Sequence, residues 1–212
     1  MAGPSEIARL LLERRVVTLR PWEPFRFASG ILSPIYCDNR FLLSDPEARA
    51  QILRGLEEII WADSVRGIVG VATAGIAWGA WLADRFGKPF AYVRTKAKDH
   101  GKQNRLEGGV EAGWTVALVE DLISTGGSLL SAAAALREER IDPVQAVAIF
   151  SYGFEEAHLG LERNHIPLAT LTRLDDVLTE ARSLKIITTE QESEILAWRK
   201  APRDWAPKTF KS

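Results

Sequence analysis

The sequence predicts an α/β fold: a central parallel sheet flanked by helices, with a small N-terminal hood. Three features predict it. Short runs that are apolar at consecutive positions, such as Gly67–Val71, mark strands buried on both faces. Segments of helical periodicity separate these runs, which is the rhythm of βαβ crossovers. A turn-rich stretch over residues 20–40, dense in Pro, Gly and Ser between brief aromatic runs, stands before the rhythm begins. At 212 residues the chain suits one domain. The hood takes about residues 1–44, the core about 45–175, and C-terminal helices about 175–202.

Taken in order, Ile7, Leu10, Leu11 and Val16 trace one face of a first helix that ends near Arg14 or Arg15, where cations suit the carboxyl end. Phe25-Arg26-Phe27 and Ile35-Tyr36-Cys37 are short strands between turns. A helix over 46–61 opens with Ser44 or Asp45 as cap and Pro46 near its first position. Strands follow at 67–71, 90–94, 115–119, 146–150 and 168–171, with helices at 76–86, 128–139 and 154–163. Residues 94–109 form a long loop without regular structure, and helices over 175–185 and 189–200 precede a Pro- and Lys-bearing tail. Trp78 and Trp81 fall on an apolar helix face and read as core, as does Cys37.

Bulk properties exclude several classes. Hydrophobic residues make up 46% and charged residues 26%, too apolar for disorder. A formal net charge of -1 gives no global field for nucleic acid, so any cationic site is local. The single cysteine, Cys37, excludes an intrachain disulfide and a thiolate cluster and fits a reducing compartment. The first twelve residues are amphipathic, interrupted by Glu6 and Arg9, unlike a signal peptide. No run approaches the roughly 20 apolar residues that span a bilayer. A cytoplasmic protein with neither membrane nor nucleic-acid partner is expected.

The densest chemical signal is Val116-Ala117-Leu118-Val119-Glu120-Asp121-Leu122-Ile123-Ser124-Thr125-Gly126-Gly127-Ser128. A strand in a parallel sheet delivers Glu120 and Asp121 to the ligand crevice at its carboxyl end. Ser124, Thr125, Gly126, Gly127 and Ser128 then open a helix, whose unpaired N–H groups and dipole favour a phosphate. A sugar phosphate satisfies both halves, its vicinal hydroxyls donating to the acids and its phosphate held by the loop. An acidic pair before glycines ends many strands without binding anything. The complete run argues otherwise, and no Gly-Lys-Ser/Thr makes it a Walker loop. Just before it, Arg94, Lys96, Lys98, His100, Lys102 and Arg105 concentrate cations in an otherwise balanced chain. A departing pyrophosphate needs such charge, because its own charge grows as the bond to it breaks. Arg94 suits a fixed position at a strand end, Lys98 and His100 a closing flap.

The acidic run resembles the phosphoribosyl pyrophosphate (PRPP) signature of the type I phosphoribosyltransferases. Three further stretches resemble the orotate phosphoribosyltransferase family within them. These are Phe27-Ala28-Ser29-Gly30-Ile31-Leu32-Ser33-Pro34-Ile35-Tyr36-Cys37-Asp38-Asn39-Arg40, then Ala72-Thr73-Ala74-Gly75-Ile76, then Tyr92-Val93-Arg94-Thr95-Lys96-Ala97-Lys98-Asp99-His100-Gly101. The resemblance runs from about residue 20 to about 130, with element order matching to the end. It implies the type I phosphoribosyltransferase fold and a homodimer in which loop 95–109 completes the neighbour's site. It also implies that PRPP is bound by Arg94, Lys98, His100, Glu120, Asp121, Leu122, Ile123 and the segment 124–128. Lys98 and Asp121 would be catalytic, Ala72, Thr73, Ala74 and Gly75 the pyrophosphate loop, and Ser124 a contact to orotate. The best-known branch carries lysines where this chain has Ala28 and Ala74, and an orotate-binding arginine near the position of Tyr152 or Gly153; a second branch lacks them too. Arg40, with N–H groups of the turn at 29–33, is the candidate anchor for the orotate carboxylate.

The implied reaction transfers the phosphoribosyl group of PRPP to orotate, giving orotidine 5′-monophosphate and pyrophosphate in UMP biosynthesis. Pyrophosphate would leave an oxocarbenium-like centre without a covalent intermediate, and the electron-poor orotate nitrogen would need no strong base. Mg²⁺ would bridge substrate oxygens while keeping its waters, with no direct protein cage. Two alternatives differ in kind: a transferase for another nucleobase, which the PRPP run does not exclude, and a PRPP-sensing regulator, which lacks the basic surface it needs.

Overall fold

The computed structural model describes residues 3–26, 32–94 and 105–206. Helix α1 (Pro4–Glu13) starts with proline at its first turn and buries Ile7, Leu10 and Leu11. Strands β1 (Val17–Leu19), β2 (Phe25–Arg26), β3 (Leu32–Ser33) and β4 (Ile35–Cys37) make the hood as two small antiparallel pairs, β1 with β4 and β2 with β3. Helix α2 (Pro46–Ile59) follows, capped by Asp45, whose carboxylate accepts from the N–H groups of Glu47 and Ala48 at 3.1 and 3.0 Å. Asp45 is the cap and Ser44 is not; Ser44 turns its hydroxyl to the Phe41 carbonyl. A cap of this kind contributes about 1 kcal/mol.

The core runs β5 (Gly67–Val71), α3 (Gly75–Phe86), β6 (Phe90–Val93), β7 (Leu106–Gly108), β8 (Thr115–Ile123), α4 (Gly127–Glu138), β9 (Asp142–Ser151), α5 (Glu155–Arg163) and β10 (Leu168–Arg173). Helices α6 (Leu174–Ser183) and α7 (Thr189–Lys200) close it. The sheet order is β10-β9-β8-β5-β6-β7, parallel except for β7. Side chains alternate as a pleated strand requires. Val116 and Leu118 face the cluster under α4 and α5, while Ala117 and Val119 face the cluster shared by α1, α2, α3, α6 and α7.

Three elements depart from the sequence expectation. β7 lies inside the stretch expected to be loop; only Leu106 in it is apolar, and it pairs along the sheet edge with β6, so its pattern is too short to see. β8 continues four residues beyond Val119, because Glu120, Leu122 and Ile123 still pair with Ala148, Phe150 and Ser151 of β9. β9 starts at Asp142, earlier than its apolar run. Pro143 is accommodated there by a register irregularity between Val116 and Ala117, the kind of place a strand proline tolerates. Trp78 is fully buried, and Trp81 packs against it under the Arg49 guanidinium, 4.9 Å above the ring.

Chain order reverses between β5 and β8. β5 leads outward to β6, whereas β8 leads outward to β9 on the other side, so the carboxyl ends of these two neighbours open a crevice. Glycines draw α3 tightly onto this point. A Cβ at Gly70 would stand 2.8 Å from the Gly75 carbonyl oxygen, and one at Gly79 would stand 3.3 Å from the Gly70 Cα. Gly75 itself has no room for a side chain, because the carbonyl of Val119 occupies that space.

Candidate active site

That close approach seats the turn 72–75 directly against the last residues of β8. Ala72, Thr73 and Ala74 share a cavity of about 360 Å³ with Glu120, Asp121, Leu122 and Ser128. The Ala72–Thr73 peptide is cis, and the Ala72 N–H donates to the Val93 carbonyl at 2.8 Å, which sets the turn beside Arg94 at the end of β6. The switch point thus brings the acids, the turn 72–75 and Ser128 of the loop after β8 around one cavity.

The acidic pair is more enclosed than expected. Glu120 is buried, Asp121 half-buried, and the Asp121 N–H donates to Glu120 Oε1 at 3.2 Å. Burial, then the neighbouring Asp121 charge, pushes Glu120 up to about 9. Asp121 is also raised, chiefly by burial. Burial and mutual repulsion therefore disfavour two full charges here, which suits a ligand bringing hydroxyl donors and a cation.

The loop after β8 has the form of an anion site. Gly126 takes the left-handed conformation (φ 79°) as the residue preceding α4, and no side chain caps that helix. Its first N–H groups are therefore available to a ligand, with the dipole favouring an anion. An added Cβ at Gly126 would also press on Ala157 at 3.3 Å. Ser124 and Thr125 border a second, larger cavity of about 670 Å³, lined also by Tyr152, Gly153 and the end of α7. Ile123 contributes only shape: its side chain is core, and its carbonyl accepts from the Tyr152 N–H at 3.0 Å.

Arg94 has its guanidinium 3.8 Å from Glu107 and is two-fifths exposed. Lys98, His100 and residues 95–104 of the expected flap lie outside the described residues, as do residues 29–31 of the hood turn. Arg40 borders the smaller cavity, with its guanidinium bound on Asp38 through two contacts of 2.7 and 2.6 Å. It shares that cavity with the acids and the turn 72–75, whereas Ser124 borders the other.

Three contributions escaped the sequence reading. The Asn39 amide, buried under the hood, donates to the Asp121 carbonyl at 2.7 Å and ties the hood to the acidic strand. Arg105 donates to the Arg94 carbonyl at 2.9 Å and to the Ser131 hydroxyl at 2.7 Å, pinning the return of the basic loop to α4. The Trp198 indole N–H donates to the Leu32 carbonyl at 3.1 Å, fastening the hood to α7. Asn39 stood in the quoted hood run as a polar residue amid strands; the other two had no local signal. Cys37 is packing, as expected: burial pushes its thiol well up, so it is no thiolate.

Comparison with known proteins adds an independent line. A family model for the phosphoribosyl transferase domain matches residues 43–165, more than half of the chain. The orotate phosphoribosyltransferase of Bacillus pumilus is 46% identical over 209 residues, 97% of this chain and 99% of that one. That of Coxiella burnetii is 44% identical over 209 residues, covering 98% of this chain and all of the other. The crystal structure of orotate phosphoribosyltransferase from Aeropyrum pernix superposes with a TM-score of 0.70 at 31% identity, covering 84% of this chain and 99% of that one. With near-complete coverage on both sides and the PRPP run, hood and switch-point crevice in register with that assignment, the chain belongs to the orotate phosphoribosyltransferase family.

Proposed function

We propose that this chain transfers the phosphoribosyl group of PRPP to orotate, releasing pyrophosphate and forming orotidine 5′-monophosphate on the route to UMP. The observation that carries the reading is the shared cavity in which a paired acid, a tight turn and an open helix N-terminus meet. Glu120 and Asp121 accept hydrogen bonds from the ribose hydroxyls. The N–H groups of 125–128 hold the 5-phosphate, and the turn 72–75 with Arg94 holds pyrophosphate. As the glycosidic bond to pyrophosphate lengthens, positive charge develops on the ribose ring, and the acids beside its hydroxyls stabilise it. Lys98 and His100 take up the negative charge growing on the leaving group. Orotate's ring nitrogen attacks without a protein base, and the Ser124 hydroxyl faces the base.

The acid pair also fits Mg²⁺ carried in with PRPP, since two buried, mutually repelling carboxylates favour a cationic ligand; the metal would supply Lewis-acid stabilisation of pyrophosphate oxygens. A homodimer in which loop 95–109 completes the neighbour's site is proposed with this reading. Cytoplasmic residence belongs to the same proposal, and no helix among the described residues is long and apolar enough to cross a membrane. The deciding assay is pyrophosphate release from PRPP with orotate, uracil or a purine base. Release with orotate alone is expected. Equal rates with another base would overturn the substrate assignment.

A further inference from the structure

Orotate differs from the other common pyrimidine, uracil, by a carboxylate, so a site selective for it needs a cation positioned beside the base. We infer that Arg199, at the end of α7, is that cation and determines specificity in this enzyme. The inference rests on the proposed orotate reaction and deepens it.

The loop 124–128 borders both cavities, and of the two the larger one contains both Ser124 and aromatic rings, those of Tyr152, Phe154 and Trp198. Arg199 reaches into it from α7. Its Nη1 lies 3.7 Å from where a Cβ on Gly153 would be, just past the carboxyl end of β9. Gly153 sits at φ 71°, in the left-handed region that favours glycine, so the space in front of the guanidinium is kept open. Arg199 is held in place from both sides. Its Nη1 donates to Asp175 Oδ1 at 2.7 Å. Its neighbour Trp198 is buried, bonded to the hood at Leu32, and packed against Tyr152 and Phe154 with ring centroids 5.7 and 5.3 Å away. The Arg199 side chain is 24% exposed, so the remaining N–H groups of its fork meet a carboxylate in a partly desolvated setting, where a two-pronged pairing is strong.

Arg40 is placed differently. Its fork is already engaged by Asp38, its side chain is 66% exposed, and it borders the cavity of the acids and the pyrophosphate turn. Lys200 and Arg203 also border the larger cavity, with Glu155, Glu156 and Asp204 opposing them in number. Arg199 is distinguished by its locked neighbour and its approach to Gly153.

The test uses two ligands that differ only in the carboxylate, orotidine 5′-monophosphate and uridine 5′-monophosphate, titrated against the full chain and its Arg199→Ala, Arg40→Ala and Asp175→Asn variants. The wild type should prefer the first. In Arg199→Ala the preference should fall roughly 30-fold or more, the lower end for truncating one partner of a desolvated charge pair, with the affinity for uridine 5′-monophosphate unchanged. Unchanged affinity for that ligand also certifies a folded site. Asp175→Asn, which keeps an oxygen acceptor for Nη1 and removes only its charge, should keep the preference in the same direction as wild type. Retained preference in Arg199→Ala, an equal loss for both ligands, or its disappearance in Arg40→Ala would each overturn the inference. A wild type that did not distinguish the two ligands would instead overturn the orotate reading itself.

Discussion

Glu120 and Asp121 share a proton in the free enzyme, and PRPP binding should expel it. Burial and the adjacent Asp121 charge push Glu120 up to about 9, so at pH 8 the pair should still hold its proton. That proton occupies lone pairs that the ribose hydroxyls need, and a cation-bearing substrate favours the doubly ionised pair. Calorimetric titration with Mg²⁺ and PRPP at pH 8, in two buffers of different ionisation enthalpy, should therefore report release of about one proton per site. The 5-phosphate, with a second pKa of about 6, is already dianionic there and does not confuse the count. Below pH 9 the apparent affinity should rise by up to about tenfold per pH unit, because the competent fraction does. Glu120→Gln removes the released proton. Stability reports the same group with a definite sign: with its folded pKa raised above the ordinary 4.5, Glu120 contributes stability fully present at acid pH and lost as pH climbs through about 9. Wild type should accordingly lose Tm relative to Glu120→Gln as pH rises from 5 to 9, the uncharged glutamine being the more stable form at pH 9. Identical heats of PRPP binding in both buffers, with a pH-independent Tm difference, would refute the shared proton.

Gly75→Ala places a methyl group where the Val119 carbonyl lies, so the turn 72–75 must shift; we expect about 1–3 kcal/mol of lost stability and a weakened PRPP Kd, and an unaltered PRPP KM would count against that turn as the pyrophosphate holder. Asn39→Ala strands the Asp121 carbonyl at a cost of about 1–3 kcal/mol, read as a lower Tm together with a raised PRPP KM; a lower Tm alone would leave Asn39 as mere packing. Lys98→Ala should lower kcat roughly 10²-fold or more with little change in PRPP KM, the scale of losing one donor used in the transition state, and a normal kcat would remove it from the chemistry.

Most of the sheet could be read in the sequence because buried parallel strands leave an unmistakable imprint. Gly67–Val71 is apolar at every position, and the helix before it has a legible start at Asp45, which accepts from the N–H groups of Glu47 and Ala48. The misread boundaries fall where that imprint and the hydrogen bonding diverge. Glu120 and Asp121 look like the end of a strand because they are charged, yet β9 beside them extends far enough to pair on to Ile123. Charge reports the destination of a side chain, whereas pairing follows the length of the neighbour. The acids, the phosphate loop and the turn 72–75 were likewise legible, since each is a continuous run. Arg199 was not: its relation to Gly153 and Ser124 is made by folding residues some distance apart onto one rim, and no periodicity encodes it.

Two of the hydrogen bonds that fasten the hood to the core lie at chemically separate places. Asn39 holds the strand bearing the acids, and Trp198 holds the helix bearing Arg199. The residues between these anchors include the Leu32–Ser33 and Ile35–Cys37 strands, with Ser33 buried and its hydroxyl donating to the Ile35 carbonyl at 2.7 Å. A small antiparallel pair cannot be stable alone, so the hood depends on the core for its shape. The dependence runs both ways, because the same bonds orient the acidic strand end and the close of α7. Loosening either anchor should therefore disturb both cavities. Trp198→Phe preserves the ring packing and deletes only the N–H to Leu32; if the hood couples the two sites, it should raise the KM for orotate and for PRPP together. A rise confined to orotate would place the effect in α7 alone and refute the coupling.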